Sequence, residues 1–280
     1  MRSVVSAAVG AVLLAAPAWA QSSPPTWNEL PDRFQIDTGY FHIDASAKLR
    51  FQGGGGNQGE VDFENDLAAS PTANTFWIDP TWRVGRRHQL KLSYTKLSRD
   101  GIDHPLQRDF VWGGETFNAG LVANSTTGSD ILGGYYRFAI VRNDRFEIGP
   151  AVGIGYLWLN AEIRATGTIT GPGGESVSRT VARSGSTGSV TGAVGGYTTA
   201  WATRRLALHG DFLYIKASLG ESEVSVTDWR VGADYYFLRN AGLGAQYKFN
   251  RYTLDREIFS SKLGGQIQYE GFQAFLSFLF

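Results

Sequence analysis

The sequence predicts an all-β fold closed on itself: a transmembrane, antiparallel, up-and-down β-barrel of about ten strands, with eight or twelve as alternatives. Three observations carry this expectation. Apolar and polar residues alternate with a period of two in segment after segment, which puts the two sets on opposite faces of strands. The connectors between these segments alternate between short and long. After residue 20 no stretch approaches the roughly 18 apolar residues that a membrane helix needs, although 42% of the 280 residues are hydrophobic and 13% aromatic.

Residues 1–20 read as a secretory signal. Met1-Arg2 precedes an apolar run over 4–16, and Ala18-Trp19-Ala20 fits the small-x-small cleavage rule. Cleavage after Ala20 would leave Gln21 first, with 21–33 a short periplasmic segment and 34–280 the barrel. The chain has no cysteine, which excludes a lipid-modified N-terminal cysteine, disulfides and thiolate metal sites. Lys plus Arg and Asp plus Glu number 26 each, so nothing in the charge points to nucleic acid as a partner.

The strands follow in order. Phe41, Ile43, Ala45, Ala47, Leu49 and Phe51 alternate with His42, Asp44, Ser46, Lys48 and Arg50. Phe76, Ile78, Trp82 and Val84 alternate with Trp77, Asp79, Thr81 and Arg83, and Leu90, Leu92 and Tyr94 with Gln89, Lys91 and Ser93. Further on, Phe146–Trp158, Leu206–Tyr214, Trp229–Phe237 and Leu243–Phe249 repeat the pattern. The segment 181–201 is the most blurred, because it is rich in Ser, Thr and Gly. Short connectors fall at 85–87, 142–144, 202–205 and 239–240. Long ones fall at 52–73, 100–129, 166–180 and 255–262, with a shorter one near 219–224, and all are rich in turn formers. Short periplasmic turns and longer outer loops are the asymmetry of outer-membrane barrels. Within the second long connector, 111–117 reads as a small hairpin turning at Gly113-Gly114.

The last residues carry the most specific pattern. Phe272, Ala274, Leu276, Phe278 and Phe280 share one face, and the sequence stops at Phe280. This resembles the C-terminal signature of outer-membrane β-barrel proteins, whose terminal aromatic strand is read by the barrel-assembly machinery. The resemblance implies that Phe272, Leu276, Phe278 and Phe280 form the assembly signal. With the stretches 142–147 and 61–67, the chain also resembles small proteobacterial barrels of the OmpA-like and OmpW-like class. It implies the bacterial outer membrane as location, with membrane lipid and the assembly machinery as partners. The even strand number puts both termini in the periplasm. No cofactor is expected, and no peptidoglycan-binding domain is expected after Phe280. A soluble β-sandwich would alternate too. Trp82, Tyr94, Trp158, Trp201 and Tyr235 near strand ends suit the two aromatic girdles of a barrel better.

Catalytic chemistry finds little support. The four histidines are scattered, and no metal site is expected. Gly53–Gly56 lacks the pattern of a phosphate-binding loop. His209-x-Asp211 has some likeness to the acid–histidine pair of the omptins, ten-stranded barrel proteases. The residue order differs, no second acidic pair matches, and His209 lies only a few residues past a short turn rather than near the outer rim. No outward pattern suggests the nucleophile system of lipid-modifying barrel enzymes.

Alternation instead assigns charge to the lumen. Asp44, Asp79, Glu147, Asp211, Asp228 and Asp234 are expected inside, with Lys48, Arg50, Arg83, Lys91, Arg137, Arg230 and Lys248. Asp44, Asp79, Arg137, Asp211, Asp234 and Lys248 fall at similar height, and with Lys48 they form the candidate network. Charges in a narrow lumen must pair, or be costly. The expected protein is thus a non-enzymatic barrel with a largely plugged, charged lumen and a structural or loop-binding role. A narrow pore for small solutes is the alternative, and an outer-membrane hydrolase ranks below both.

Overall fold

The computed structural model describes residues 33–52, 58–67, 69–107, 109–112, 115–170, 176–219, 222–258 and 261–280. The expected signal and its cleavage site fall outside them. Ten long strands form one ring: β1 Phe34–Gln52, β2 Thr72–Arg83, β3 His88–Pro105, β4 Val122–Phe138, β5 Phe146–Thr170, β6 Ser176–Trp201, β7 Leu206–Leu219, β8 Ser222–Tyr236, β9 Ala241–Ile258 and β10 Ser261–Leu279. Each pairs antiparallel with its sequence neighbours, and β10 pairs with β1, which closes the sheet. Two short strands, Gln58–Asp62 and Val141–Arg142, attach to β1 and β5.

Closure is continuous. The β1–β10 register runs unbroken from Gln35↔Leu279 to Gln52↔Lys262. At its lower end Phe34 and Phe280 exchange backbone hydrogen bonds of 3.1 and 2.7 Å. A closed sheet leaves no edge of unpaired backbone groups in the hydrocarbon, where each would be expensive. The β2–β3 ladder skips between Ile78↔Tyr94 and Thr81↔Lys91. Pro80 lies in the gap and has no N–H to donate.

The four short turns and the two ends of the ring lie together, and we call this the turn end. The opposite, loop end extends far beyond a bilayer. A tilted strand crosses the hydrocarbon in about 9–11 residues, whereas β5 and β6 have 25 and 26. Much of what reads as loop in the sequence is therefore strand: β5 and β6 reach Thr170 and Ser176. Gly, Ser and Thr there reflect strands in water rather than irregular chain. The hairpin of the second loop is present, with Phe110–Trp112 paired to Glu115–Phe117.

The outer face shows where the membrane begins and ends. On β3, Leu90, Leu92 and Tyr94 point outward and are exposed, and the same face continues as Lys96, Ser98 and Asp100. On β5, Val152, Ile154 and Trp158 are followed by Asn160, Glu162 and Arg164. The inner face changes in the opposite sense, from Gln89, Lys91 and Ser93 to Leu97 on β3. Within the belt, polar residues line the inside. Above it the barrel is packed like a soluble protein, apolar inward and charged outward.

This inversion corrects the expectation for β1. Its outward face is Phe34, Ile36 and Tyr40 along the belt, then His42, Asp44, Ser46 and Lys48 above it. Phe41, Ile43, Ala45 and Ala47 are the buried, inward residues. Asp44 and Lys48 are thus outside the lumen. Lys48 pairs with Glu60 at 3.2 Å and Asp62 at 3.3 Å on the adjoining short strand. Trp201 is a second correction. It does not join an outer girdle but faces inward, tilted against Tyr236 at 5.5 Å.

Candidate functional site

Alternation on five strands delivers polar side chains to one level of the lumen. Asp79 (β2), Lys91 (β3), Arg137 (β4), Asp211 (β7) and Arg230 (β8) meet there. Lys91 Nζ lies 3.0 Å from Asp79 Oδ2, and an Arg230 terminal nitrogen donates to the same oxygen at 2.5 Å. Arg230 Nε donates to Asp211 Oδ2, while Arg137 donates to Asp211 Oδ1 at 2.5 Å. Three cations thus share two carboxylates, and Arg230 bridges both. Its side chain is 9% exposed, against 2% for Asp79 and 11% for Asp211. Lys248 is buried beside Arg230, its register partner across the β8–β9 ladder.

Toward the turn end a second group surrounds Glu147 of β5. Arg83 donates to it at 2.8 Å, Gln89 at 2.8 Å and the Tyr197 hydroxyl at 2.7 Å. Arg137 stacks over the Tyr197 ring at 5.0 Å, which joins the two groups. On the facing wall His209 Nδ1 lies 2.7 Å from Asp234, and Nε2 lies 3.0 Å from Gln246 Oε1. These walls enclose a cavity of 1310 Å³ that opens at the turn end.

Above the charges the lumen is apolar. Phe41, Ile43, Trp77, Leu97, Tyr252 and Tyr269 belong to one buried cluster. Phe275 bridges the levels: it lines the cavity and packs edge-on against Trp77 at 5.4 Å. Its ring uses the space that a side chain at Gly244 would need, since a Cβ there would lie 2.1 Å from the ring. Higher still, Arg99 bonds Glu64 and donates to the Ala45 carbonyl at 2.9 Å. Above that, the first two loops fold inward as a further cluster containing Val61, Phe63, Leu67, Leu106, Phe117 and Leu121.

The structure therefore brings together Asp79, Arg137, Asp211 and Lys248 of the candidate residues, and puts Asp234 one step away beside His209. It leaves Asp44 and Lys48 on the outer wall. His209 and Asp211 both face inward but do not pair. Arg137 and Arg230 take Asp211, and Asp234 and Gln246 take the imidazole. Arg230 was legible as an inward residue, but its height in β8 gave no sign that it bridges two carboxylates. The apolar layer was missed. Its signal is a single parity followed along β1, where Gln35 and Asp37 lead to Phe41 and Ile43. Phe272, Leu276, Phe278 and Phe280 all face outward on β10.

No protein-family model matches the chain, and no curated protein matches it in sequence. Among solved structures it is similar to the outer membrane protease OmpT of Escherichia coli, with a TM-score of 0.61 and 13% identity over 89% of this chain and 97% of that one. A FadL homologue of Pseudomonas aeruginosa follows at 0.38 and 11%, covering 88% of this chain and 90% of that one. Ail of Yersinia pestis matches at 0.30 and 10%, covering 86% of this chain and 99% of that one. Fold, belt and lumen together define an integral β-barrel of the outer-membrane class. The likeness to OmpT is one of fold.

Proposed function

We propose that this chain is a non-enzymatic outer-membrane barrel, closed to through-flow, that serves the envelope structurally or through its outer loops. The observation that carries this reading is the succession of ion pairs, apolar cluster and inward-folded loops along one lumen. An aqueous channel needs about 16–18 strands, while eight are just filled by side chains. Ten lie near the filled end. The engagement of both His209 nitrogens by Asp234 and Gln246 favours a structural use of that histidine.

The test is conductance in planar bilayers. The unmutated protein is expected to show only small, infrequent openings. Large, stable, porin-like conductance would replace this reading with the pore, for which the cavity at the turn end is the supporting observation.

In this reading the turn end faces the periplasm, and the outward aromatics Phe272, Phe278 and Phe280 are presented to the assembly machinery. Single cysteines at Asp66 or Glu162 should be labelled by an impermeant reagent on intact cells, and those at Arg204 or Asn240 should not. The reverse pattern would invert the orientation.

A further inference from the structure

The turn end carries charge of one sign. Residues 33, 84–87, 139–145, 202–205 and 237–240 contain eight arginines, no lysine and a single acid, Asp144. The chain as a whole is neutral, so this is an asymmetry of placement. The outer wall above the belt has no such bias: Lys96, Asp100, Glu162, Arg164, Glu223 and Arg251 mix both signs there.

Depth gives the asymmetry its meaning. Exposed apolar residues adjoin these arginines in the same turns: Val84 before Arg86 and Arg87, and Ile140 and Val141 before Arg142. Phe34, Trp82 and Phe280 are exposed just above, beside Arg33. Apolar residues at that level sit in acyl chains, so the guanidiniums fall at the depth of lipid headgroups. Guanidinium is also the side chain whose fork matches phosphate oxygens, and it holds its charge at any working pH. Arg33, Arg86, Arg87 and Arg142 line the cavity mouth, but Arg145, Arg204, Arg205 and Arg239 do not. A ring spread around the circumference fits a partner that surrounds the barrel better than a solute that enters it.

We infer that the arginine ring of the turn end binds the phosphates of anionic phospholipid headgroups in the adjoining leaflet. The cations encircle the turn end and are not confined to the cavity mouth, and each adds attraction to an anionic surface that salt screens.

The full chain, reconstituted in phosphatidylcholine vesicles, can be titrated with brominated phosphatidylglycerol or brominated phosphatidylcholine, using quenching of its tryptophans. Trp82, 53% exposed on the belt at the turn end, is a suitable reporter. The expected result is a preference for phosphatidylglycerol on the order of fivefold, the effect of about one such contact, weakened by salt. R86Q/R87Q/R204Q/R205Q should bring it close to unity, while the loop-end control K96Q/R164Q/R251Q should retain it. Should the fourfold variant fail to fold, R86Q/R87Q and R204Q/R205Q are measured separately, and each should lower the preference. No preference in the parent, or one unchanged in the turn-end variants, overturns the assignment. Abolition by millimolar inorganic phosphate at constant ionic strength also overturns it, in favour of a soluble anion.

Discussion

Replacing Arg230 by methionine is expected to destabilise the barrel by about 3–5 kcal/mol, the usual effect of removing one partner from a buried ion pair. The arginine touches both carboxylates at the lumen's central level, Asp79 and Asp211. Without it, Lys91 and Arg137 each hold one of them, but two buried anions lose their shared cation. Arg230→Lys should recover only part of the loss, because an ammonium is a point charge and cannot extend separate nitrogens to two acceptors. Adding Asp79→Asn and Asp211→Asn to Arg230→Met should not return the stability, because Lys91 and Arg137 then lose their own carboxylates and become the uncompensated buried charges. The measurement is the urea midpoint of the reconstituted protein, followed by the shift between folded and boiled mobility on a denaturing gel. A loss below about 1 kcal/mol for Arg230→Met would mean that water reaches these groups and that the network is a solvated one.

Trp77→Ala should be comparably severe. The side chain is 2% exposed and packs against Phe275 directly above the charges. Truncating a buried Trp costs about 3–5 kcal/mol in transfer and cavity terms. Here it also opens a void between the ion network and the apolar layer, so more frequent bilayer openings are expected beside the lower urea midpoint. Trp77→Phe should cost less. It keeps most of the ring, and the indole N–H that it removes has no hydrogen-bond partner among the described residues, so no bond is forfeited. Equal losses for the two variants would show that the site tolerates no reshaping and that volume is not the governing quantity.

The aromatic strand ends show how the reading succeeds and where it slips. Trp82, Tyr94, Trp158 and Tyr235 are outward and exposed, as alternation requires. Trp201 belongs to the same pattern class but turns inward against Tyr236. Its strand is the Ser/Thr/Gly-rich β6, where Val190 and Val194 are outward but Gly192, Gly196, Thr198 and Ala200 leave that face weakly marked up to Trp201. On β7 and β8, large outward residues such as Phe212 and Val231 set the parity, and His209, Asp211 and Arg230 follow from it.

What the sequence determined by itself is the period: strands, the even ring, the outward terminal face and the inward set on most strands, because a pleat has only two faces and a strand cannot change parity without a bulge. What only the tertiary structure decided is which face is inside where the strand leaves the membrane, and which charges meet. The first depends on the solvent at each height, lipid below and water above, so the same alternation means opposite things at Ile36 and at Asp44. The second depends on stagger between strands distant in sequence. Asp79 and Arg230 are 151 residues apart, and no local pattern records that closing the ring sets them within one hydrogen bond.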